Sequence, residues 1–294
     1  MFCLILPVFL VISFVGSLIA FFRKKWGIGI VLLIMAIVIN SFGEIVGWHL
    51  SGYKNESTIK LMAFNVHSSD MSYGRNKQRI LELIEEENPD FVYLSELETA
   101  GDSVHSCLIK TYPFTNIPSV EYSNHIEPVY SRWPIDTVET LSLPHFYHSI
   151  YRVRINQGKD TVSVYCCHLS SNQFMNSSHR FDSIKEGYLR RAKEADELHM
   201  LLSTDPYPTI LLGDLNDIGG SYTLRHIESA GMKDAWWEGG LGYGATYHDH
   251  GLRLRLDHIL FDDSAFQLSE IKTIGGNLSD HKGLVASFKL LHKN

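Results

Sequence analysis

Side chains able to carry chemistry accompany six short apolar runs that are spread over more than 200 residues of the chain. They are Asn65 in LMAFNVH, Glu96 in FVYLSELE, His168 in VYCCHLS, Asp214 and Asn216 in ILLGDLND, Asp257 and His258 in LRLDHIL, and Asp280 and His281 in NLSDHKG. One polar residue after a strand is usually a turn former. Six such sites are harder to explain as independent turns, because active sites of α/β folds collect at strand ends. The pattern predicts one active site.

The residue types in this set indicate phosphoester hydrolysis. Carboxylate and amide oxygens are hard ligands that suit Mg²⁺ or Mn²⁺, and Mg²⁺ is typically bound by one or two carboxylates together with waters and substrate phosphate. The sequence lacks a His-His-carboxylate cluster of the kind that binds zinc. An imidazole beside a carboxylate can move a proton, and a second imidazole can neutralise charge on a phosphoryl oxygen.

Alternating strands and helices are expected to position these residues. Apolar runs bounded by turn residues predict strands at 59–66, 90–97, 150–155, 161–169, 209–215, 255–261 and 283–290. Apolar residues at helical spacing predict helices over about 76–87 and 179–202. The strands are almost continuously apolar, which is typical of sheets covered on both faces. The fold class is therefore α/β.

Other polar clusters have two interpretations. The pairs His145/His148 and His248/His250 are either ligands or the chance neighbours expected among 15 histidines. Strand alternation through Asp257 would put Arg253 and Arg255 on the face of that carboxylate, where Arg255 would contact a substrate phosphate. The alternative is an ordinary surface charge.

The first 50 residues differ in composition from the rest of the 294-residue chain. Their only fully charged side chains are Arg23, Lys24, Lys25 and Glu44, whereas residues 51–294 carry 23 basic and 32 acidic side chains. An acidic balance disfavours a protein that holds nucleic acid mainly by neutralising phosphates. The overall composition, 45% hydrophobic and 20% charged, excludes a disordered protein.

Two apolar stretches, 1–22 and 26–48, predict a transmembrane hairpin. The basic residues follow the first stretch instead of preceding it, which disfavours a cleaved signal peptide. Asn40, Ser41 and Glu44 weaken the second span, so a re-entrant or interfacial helix is the alternative. With the basic loop in the cytoplasm, a linker at 51–58 and a catalytic domain at 59–294 would lie in the periplasm or outside the cell.

The cysteines give little further information. Cys3 lies in the first apolar stretch, and Cys166 and Cys167 are neighbours in a predicted strand, so their side chains point to opposite faces. At most one of them can pair with Cys107, and free buried thiols are favoured.

The ordered blocks resemble the endonuclease/exonuclease/phosphatase superfamily. The blocks are AFNV with Asn65, LSELE with Glu96, SRWPI at 131–135, CCHLSS with His168, GDLND at 213–217, RLDHIL at 255–260 and LSDHKGL at 278–284. The resemblance covers most of residues 58–291. It implies a four-layer α/β sandwich of two packed β-sheets flanked by helices.

The resemblance also implies residue roles. Glu96 is expected to be the principal metal ligand, assisted by Asn65 and Asp280. Asp214 is expected to orient or deprotonate the attacking water and Asn216 to hold the phosphate, with Asn65 also near it. His168 and His281 are expected to contact the scissile phosphate and move a proton, and Asp257 to orient His281. Ser95 and Leu215 depart from residues common in the family, which concerns packing more than chemistry.

The expected function is that of a membrane-anchored, Mg²⁺-dependent phosphoesterase. Its substrate is a nucleic acid, as for an endonuclease, or alternatively a phospholipid or small phosphodiester. An inactive membrane-attached binding module and a transporter subunit are the alternatives from other classes. The block with the metal ligand Glu96 and the GDLND block are both intact, which disfavours an inactive module. Two membrane spans with one glutamate offer no evident pathway, which disfavours a transporter subunit. The sequence indicates no protein partner.

Overall fold

The computed structural model describes residues 6–49, 59–68, 71–117, 127–141, 150–171, 180–249 and 251–291. The helices are α1 (Leu6–Phe22), α2 (Trp26–Gly43), α3 (Met71–Glu87), α4 (Ser103–Thr111), α5 (Arg180–Thr204), α6 (Tyr222–Glu228) and α7 (Ala235–Gly239). The strands are β1 (Gly47–Trp48), β2 (Ile59–Asn65), β3 (Phe91–Ser95), β4 (Phe114–Thr115), β5 (Val129–Ser131), β6 (Ile135–Leu141), β7 (Ile150–Gln157), β8 (Asp160–His168), β9 (Thr209–Asp214), β10 (Met232–Asp234), β11 (Leu241–Gly242), β12 (Tyr247–Asp249), β13 (Leu252–Leu254), β14 (Asp257–Asp262), β15 (Phe266–Ile274) and β16 (Gly283–Leu290).

Two six-stranded mixed sheets form the centre of the protein. The first sheet has the order β15-β16-β2-β3-β5-β4, and the second has the order β10-β14-β9-β8-β7-β6. Each sheet contains one parallel pair, β2 with β3 and β8 with β9. Parallel neighbours need a crossover connection, and α3 and α5 provide these two connections. The predicted α/β fold with two sheets is confirmed.

Hydrophobic packing divides the molecule into layers. Apolar side chains from the facing sides of both sheets, such as Leu61, Tyr93, Val164 and Leu212, form one buried cluster between them. A second cluster packs α3 and α4 on the outer face of the first sheet, and a third packs α5 and α6 on the outer face of the second. This explains why the central strands are apolar on both faces.

The N-terminal apolar region forms two helices that pack against each other. Among the described residues, α2 is the one helix long and apolar enough to cross a membrane, with a mean hydropathy of 2.1, whereas the described part of α1 has 17 residues. The predicted pair of spans is therefore supported for one helix only. The second helix ends at Gly43 and not at residue 48, because Glu44 adopts a left-handed conformation and Gly47–Trp48 pairs with β11. Cys3 and the predicted linker 51–58 lie outside the described residues.

Cys107, Cys166 and Cys167 are free thiols, Cys107 exposed and the other two buried. The prediction of unpaired cysteines in the strand region is confirmed.

Candidate active site

The register of the two sheets gathers the predicted residues at one edge. Asn65 pairs with Ser95 at the ends of β2 and β3, so the next residue, Glu96, follows at that edge. In the second sheet, Asp214 at the end of β9 pairs with both His168 on β8 and Asp257 on β14. Hydrogen bonds between side chains of the two sheets then join these strand ends into one site.

Asn65 connects two carboxylates across the sheets. Its Nδ2 donates to Glu96 Oε1 at 2.9 Å and to Asp214 Oδ2 at 3.1 Å, and its Oδ1 accepts from the backbone N–H of His67 at 3.1 Å. The expected role as a metal ligand needs the amide oxygen, which here faces the His67 backbone. Asn65 is thus placed as a donor that holds Glu96 and Asp214 together.

His281 forms a buried pair with Asp257. Its Nδ1 lies 2.7 Å from Asp257 Oδ2, and its Nε2 lies 3.7 Å from Asp214 Oδ2. The ring also meets the edge of Tyr247, with centroids 5.0 Å apart. Burial acts to lower the pKa of His281, but the charges of Asp257 and Asp214 outweigh it and raise the pKa to about 10. The expected orientation of His281 by Asp257 agrees with this geometry.

His168 has a carboxylate partner of its own, Glu127, which the sequence reasoning missed. His168 Nδ1 lies 2.8 Å from Glu127 Oε1, and His168 Nε2 lies 3.7 Å from Glu96 and 4.0 Å from Asp214. Glu127 also accepts from the Tyr93 hydroxyl and from the Glu96 backbone N–H. Burial acts to lower the pKa of His168, and Glu127 more than compensates, so the pKa rises to about 9. Glu127 lies two residues before β5, so the pattern of a polar group after a strand does not include it.

Asp214 stands between the two imidazoles and is 1% exposed. Burial, and then the charge of Asp257, raise its pKa to about 6. The backbone N–H of Asn216 donates to Asp214 Oδ1 at 2.9 Å, and Asn216 Nδ2 donates to Leu169 O at 2.9 Å. These bonds fix Asn216 beside the residue that follows His168.

Gly213 brings these strands close together. A Cβ on Gly213 would lie 2.0 Å from Cys167 O, and its φ of 136° is a conformation that side chains disfavour. The glycine of GDLND is therefore required for the approach of β8 and β9.

Glu96 and Asp280 are the carboxylates that suit a metal ion. Their side chains are 36% and 28% exposed, in contrast with the buried Asp214 and Asp257. Asp280 Oδ1 lies 3.1 Å from His67 Nδ1. Burial acts to raise the pKa of Asp280, but the His67 hydrogen bond and the His281 charge keep it below its usual value. Accessible carboxylate oxygens of this kind could hold a hard divalent cation.

Three of the six described non-glycine residues with positive φ lie at this edge. Glu96, Asn216 and His67 have positive φ angles of 55°, 51° and 44°, which are uncommon for residues with side chains and cluster at functional sites. His67, like Glu127, lay outside the predicted set, and it follows a strand end by two residues.

A second group of potential ligand atoms, from Asp214, Asp257 and His281, lies within 4.8 Å of one another among the described residues. This group differs from the Glu96 and Asp280 set. We interpret it as a proton-transfer group, because His281 Nδ1 is already paired with Asp257 and all three side chains are buried.

Arg255 is buried and paired inside the protein. It is 2% exposed, and its guanidinium contacts Asp234 at 2.5 Å and His258 Nδ1 at 3.0 Å. The strand expected to carry it is interrupted, since β13 ends at Leu254 and β14 begins at Asp257. Alternation therefore does not direct Arg255 toward Asp257, and the expected contact of Arg255 with a substrate phosphate does not follow from this structure. Arg253 is exposed on β13.

Of the two histidine pairs, His248 alone lies among the described residues. His248 lies on β12, where its backbone N–H donates to the backbone carbonyl oxygen of Asp280 at 2.8 Å. Its predicted partner His250, and both His145 and His148, lie outside the described residues.

Solved structures share this fold at low sequence identity. Humanized D. rerio TDP2 matches with a TM-score of 0.64 and 18% identity over 79% of this chain and 98% of that one. D. rerio TDP2 complexed with single strand DNA product gives a TM-score of 0.61 and 16% identity over 79% and 98%. Sphingomyelinase C from Streptomyces griseocarneus gives 0.56 and 15% over 79% and 99%. Comparison with curated protein sequences gives no match.

The sequence itself matches a family model over residues 62–281, from within β2 to His281. This range contains every site residue described above and all strands of the two sheets except β16 and the first three residues of β2. The chain belongs to the Endonuclease/Exonuclease/phosphatase family, whose members are metal-dependent enzymes that hydrolyse phosphate esters.

Proposed function

We propose that the protein is a membrane-anchored, Mg²⁺-dependent phosphodiesterase that cleaves its substrate by in-line attack of water. The observation that carries this proposal is the pair of imidazole–carboxylate contacts, at 2.7 and 2.8 Å, whose outer nitrogens both face Asp214 Oδ2 at 3.7 and 4.0 Å. Two cations around one carboxylate form a suitable site for an anionic phosphodiester and its attacking water.

The pKa values indicate which groups donate protons and which group accepts one. Near pH 7 the imidazoles of His281 and His168, with pKa values of about 10 and about 9, are protonated and donate to phosphoryl oxygens. Asp214, with a pKa of about 6, is mostly ionised and accepts a proton from water. One imidazolium then protonates the leaving alkoxide. Asn216 is proposed to hold the phosphate in place.

Glu96 and Asp280 are proposed to hold the cation, with Mn²⁺ as a substitute for Mg²⁺. When bound, such an ion neutralises phosphate charge and stabilises charge that develops in the transition state. Asn65 donates to both Glu96 and Asp214 and so fixes the Glu96 carboxylate in the position from which it would hold the cation.

The helical hairpin supports membrane anchoring. Among the described residues, most of the large apolar side chains that are exposed belong to α1 and α2, including Phe9, Ile12, Val31 and Ile34. A surface of this extent is a membrane or partner site. Helix α1 begins beside the end of α2, since a Cβ on Gly43 would lie 3.3 Å from Leu6 Cδ1. The basic loop between α1 and α2 and the catalytic domain are thus at opposite ends of the hairpin. Because basic loops are retained in the cytoplasm, this favours a periplasmic or extracellular catalytic domain.

Reporter fusions test the anchoring and its topology. A reporter that is active only outside the cytoplasm should work when fused after Ser51 and after the C-terminus. Activity of a cytoplasmic reporter at both positions would move the catalytic domain to the inner face.

Hydrolysis of bis-p-nitrophenyl phosphate by the purified full-length protein in detergent tests the activity. We expect turnover with Mg²⁺ that Asp214→Asn abolishes. Asp263→Asn is the matched control, because Asp263 is half exposed and pairs with Lys233 outside the site. Equal turnover of the two variants would contradict the proposal. Plasmid DNA, RNA and phospholipid vesicles extend the assay to the substrate classes that the family permits.

A further inference from the structure

The C-terminal end of α2 packs directly on the loops that carry active-site residues. A Cβ on Gly219 would lie 2.7 Å from Gly43 O, and one on Gly220 would lie 2.5 Å from Phe42 O. Arg225 donates to Phe42 O at 2.6 Å, and its guanidinium stacks on the Phe42 ring. The loop that follows GDLND is thus in van der Waals contact with the last turn of α2.

A second active-site segment reaches the same place. Arg255 Nη2 donates to Glu44 O at 3.2 Å, and Arg255 also contacts Asp234 and His258. His258 Nε2 in turn lies 2.9 Å from Asp217 O. The role of Arg255 is therefore to join the end of α2 to both loops that carry catalytic groups.

Chain length limits how far the site can lie from the bilayer. Gly219 is three positions after Asn216, a distance of at most ~11 Å along an extended chain, and Arg255 is two positions before Asp257, at most ~7 Å away. The headgroup region on each side of a bilayer is about 5–8 Å thick. With Gly43 at the edge of the hydrocarbon, the catalytic groups lie within about two headgroup layers of it.

Exposed apolar side chains form a rim where the hairpin meets the catalytic domain. Trp48 on β1 and Leu241 on β11 are cross-strand partners and are 71% and 58% exposed. Tyr222, at the start of α6 after Gly220, is 57% exposed, and Phe42 is 48% exposed. We call Phe42, Trp48, Tyr222 and Leu241 the juxtamembrane rim. Aromatic residues at this level are typical of membrane interfaces.

We propose that the substrate is a phospholipid whose headgroup phosphodiester lies in the same membrane that holds the hairpin. This inference rests on the proposed function. The reaction converts one phosphodiester and one water into one phosphomonoester and one alcohol. The water oxygen bonds to phosphorus, the P–O bond to the diacylglycerol oxygen breaks, and a proton passes to that oxygen, so the products are diacylglycerol and a phosphorylated headgroup. The excess of acidic over basic residues beyond residue 50 disfavours a nucleic acid and favours a zwitterionic headgroup.

Reconstituted full-length protein tests the inference. Vesicles of phosphatidylcholine and phosphatidylethanolamine carry the protein with Mg²⁺, and release of phosphorylated headgroup is compared with cleavage of plasmid DNA and bis-p-nitrophenyl phosphate. We expect lipid of the protein's own vesicles to be cleaved at least about tenfold faster than lipid of added protein-free vesicles, because dilution separates the latter from the site.

Variants of the rim distinguish membrane contact from a general effect. Leu241→Ser should lower the ratio of lipid turnover to bis-p-nitrophenyl phosphate turnover about tenfold, because one leucine side chain no longer enters the interface. Leu189→Ser, on α5 and 56% exposed, should leave that ratio unchanged.

Three results would overturn the inference. One is cleavage of DNA with no cleavage of lipid, and another is an equal effect of the two leucine variants. The third is hydrolysis of bis-p-nitrophenyl phosphate without hydrolysis of lipid, which would leave the proposed function standing. Absence of hydrolysis of every substrate would refute the proposed function and the inference with it.

Discussion

Replacing Asp257 with asparagine should reduce turnover much more at alkaline pH than at acidic pH. Asp257 is 1% exposed and lies 2.7 Å from His281, and its charge is the largest influence that raises the pKa of that imidazole. Asparagine keeps the size of the side chain but removes the charge. Because the raised pKa keeps His281 protonated up to about pH 10, this imidazole of the wild-type protein can donate a proton at neutral and mildly alkaline pH.

The magnitude follows from the protonated fraction of His281. If the variant imidazole returns to its ordinary value of about 6.5, about 3% of it is protonated at pH 8, against nearly all of it in the wild type. At pH 6 about three quarters stays protonated. We therefore expect kcat to fall about 30-fold at pH 8 and less than about twofold at pH 6 through this effect.

Steady-state kinetics on bis-p-nitrophenyl phosphate between pH 5.5 and 9 measures this. The loss should appear in kcat and not in KM, and the double variant Asp257→Asn/His281→Asn should be little worse than His281→Asn alone, because the two residues act as one unit. Asp263→Asn serves as the control. A loss confined to KM, or one of equal size at every pH, would refute the assigned role of Asp257.

Three further predictions concern the residues around the site. Glu127→Gln should lower the pKa of His168 and so reduce kcat most above pH 7, whereas an unchanged pH profile would contradict the pairing. Gly213→Ala should destabilise the protein by at least about 2 kcal/mol in thermal or denaturant unfolding, because of the close Cys167 carbonyl, whereas Gly158→Ala, with nothing within 4 Å, should cost less. Burial and the charge of Glu44 raise the pKa of Glu228 to about 9, so the stability that its protonated form contributes declines as the pH rises from about 4.5 through about 9. Glu228→Gln should therefore raise the melting temperature at pH 9 and leave it unchanged at pH 4, and equal effects at both would contradict this.

The central strands were predictable because their sequence is unusual. β2, β9 and β16 are almost continuously apolar, and burial on both faces demands that pattern. β6 and β15 were missed, because their polar and apolar residues alternate or mix at the edges of the sheets. Strands at the edge of a sheet are less completely buried than central strands, so their sequences contain more polar residues and resemble those of exposed loops.

Residues of the site were predictable where a polar group follows an apolar strand. Asp214 and His168 were found in this way, and they are neighbours in the second sheet. Glu127 was missed because its contact with His168 joins residues 41 positions apart and depends on how the two sheets face each other. Arg255 was assigned to the substrate from strand alternation, which fails because the chain leaves the strand at residues 255 and 256.

The hairpin was predictable in composition but not in its contacts. Apolar runs identify α1 and α2, yet no periodicity reveals that Gly219, Gly220 and Arg255 pack on the end of α2. Those contacts depend on backbone carbonyls, which every sequence possesses. The strand β1 at residues 47–48 also means that contact with the catalytic domain begins before residue 59, where the sequence placed its boundary.

Mg²⁺ titration of the wild-type protein and Glu96→Gln tests the central claim most directly. The purified full-length proteins are stripped with a chelator, and bis-p-nitrophenyl phosphate hydrolysis is followed as Mg²⁺ is added. Glutamine keeps the size of Glu96 but lacks the charge that holds a divalent cation. The account predicts no activity without metal, saturable recovery in the wild type, and a loss of several orders of magnitude in a folded Glu96→Gln protein. Activity that survives chelation, or near wild-type turnover of Glu96→Gln at limiting Mg²⁺, would contradict it.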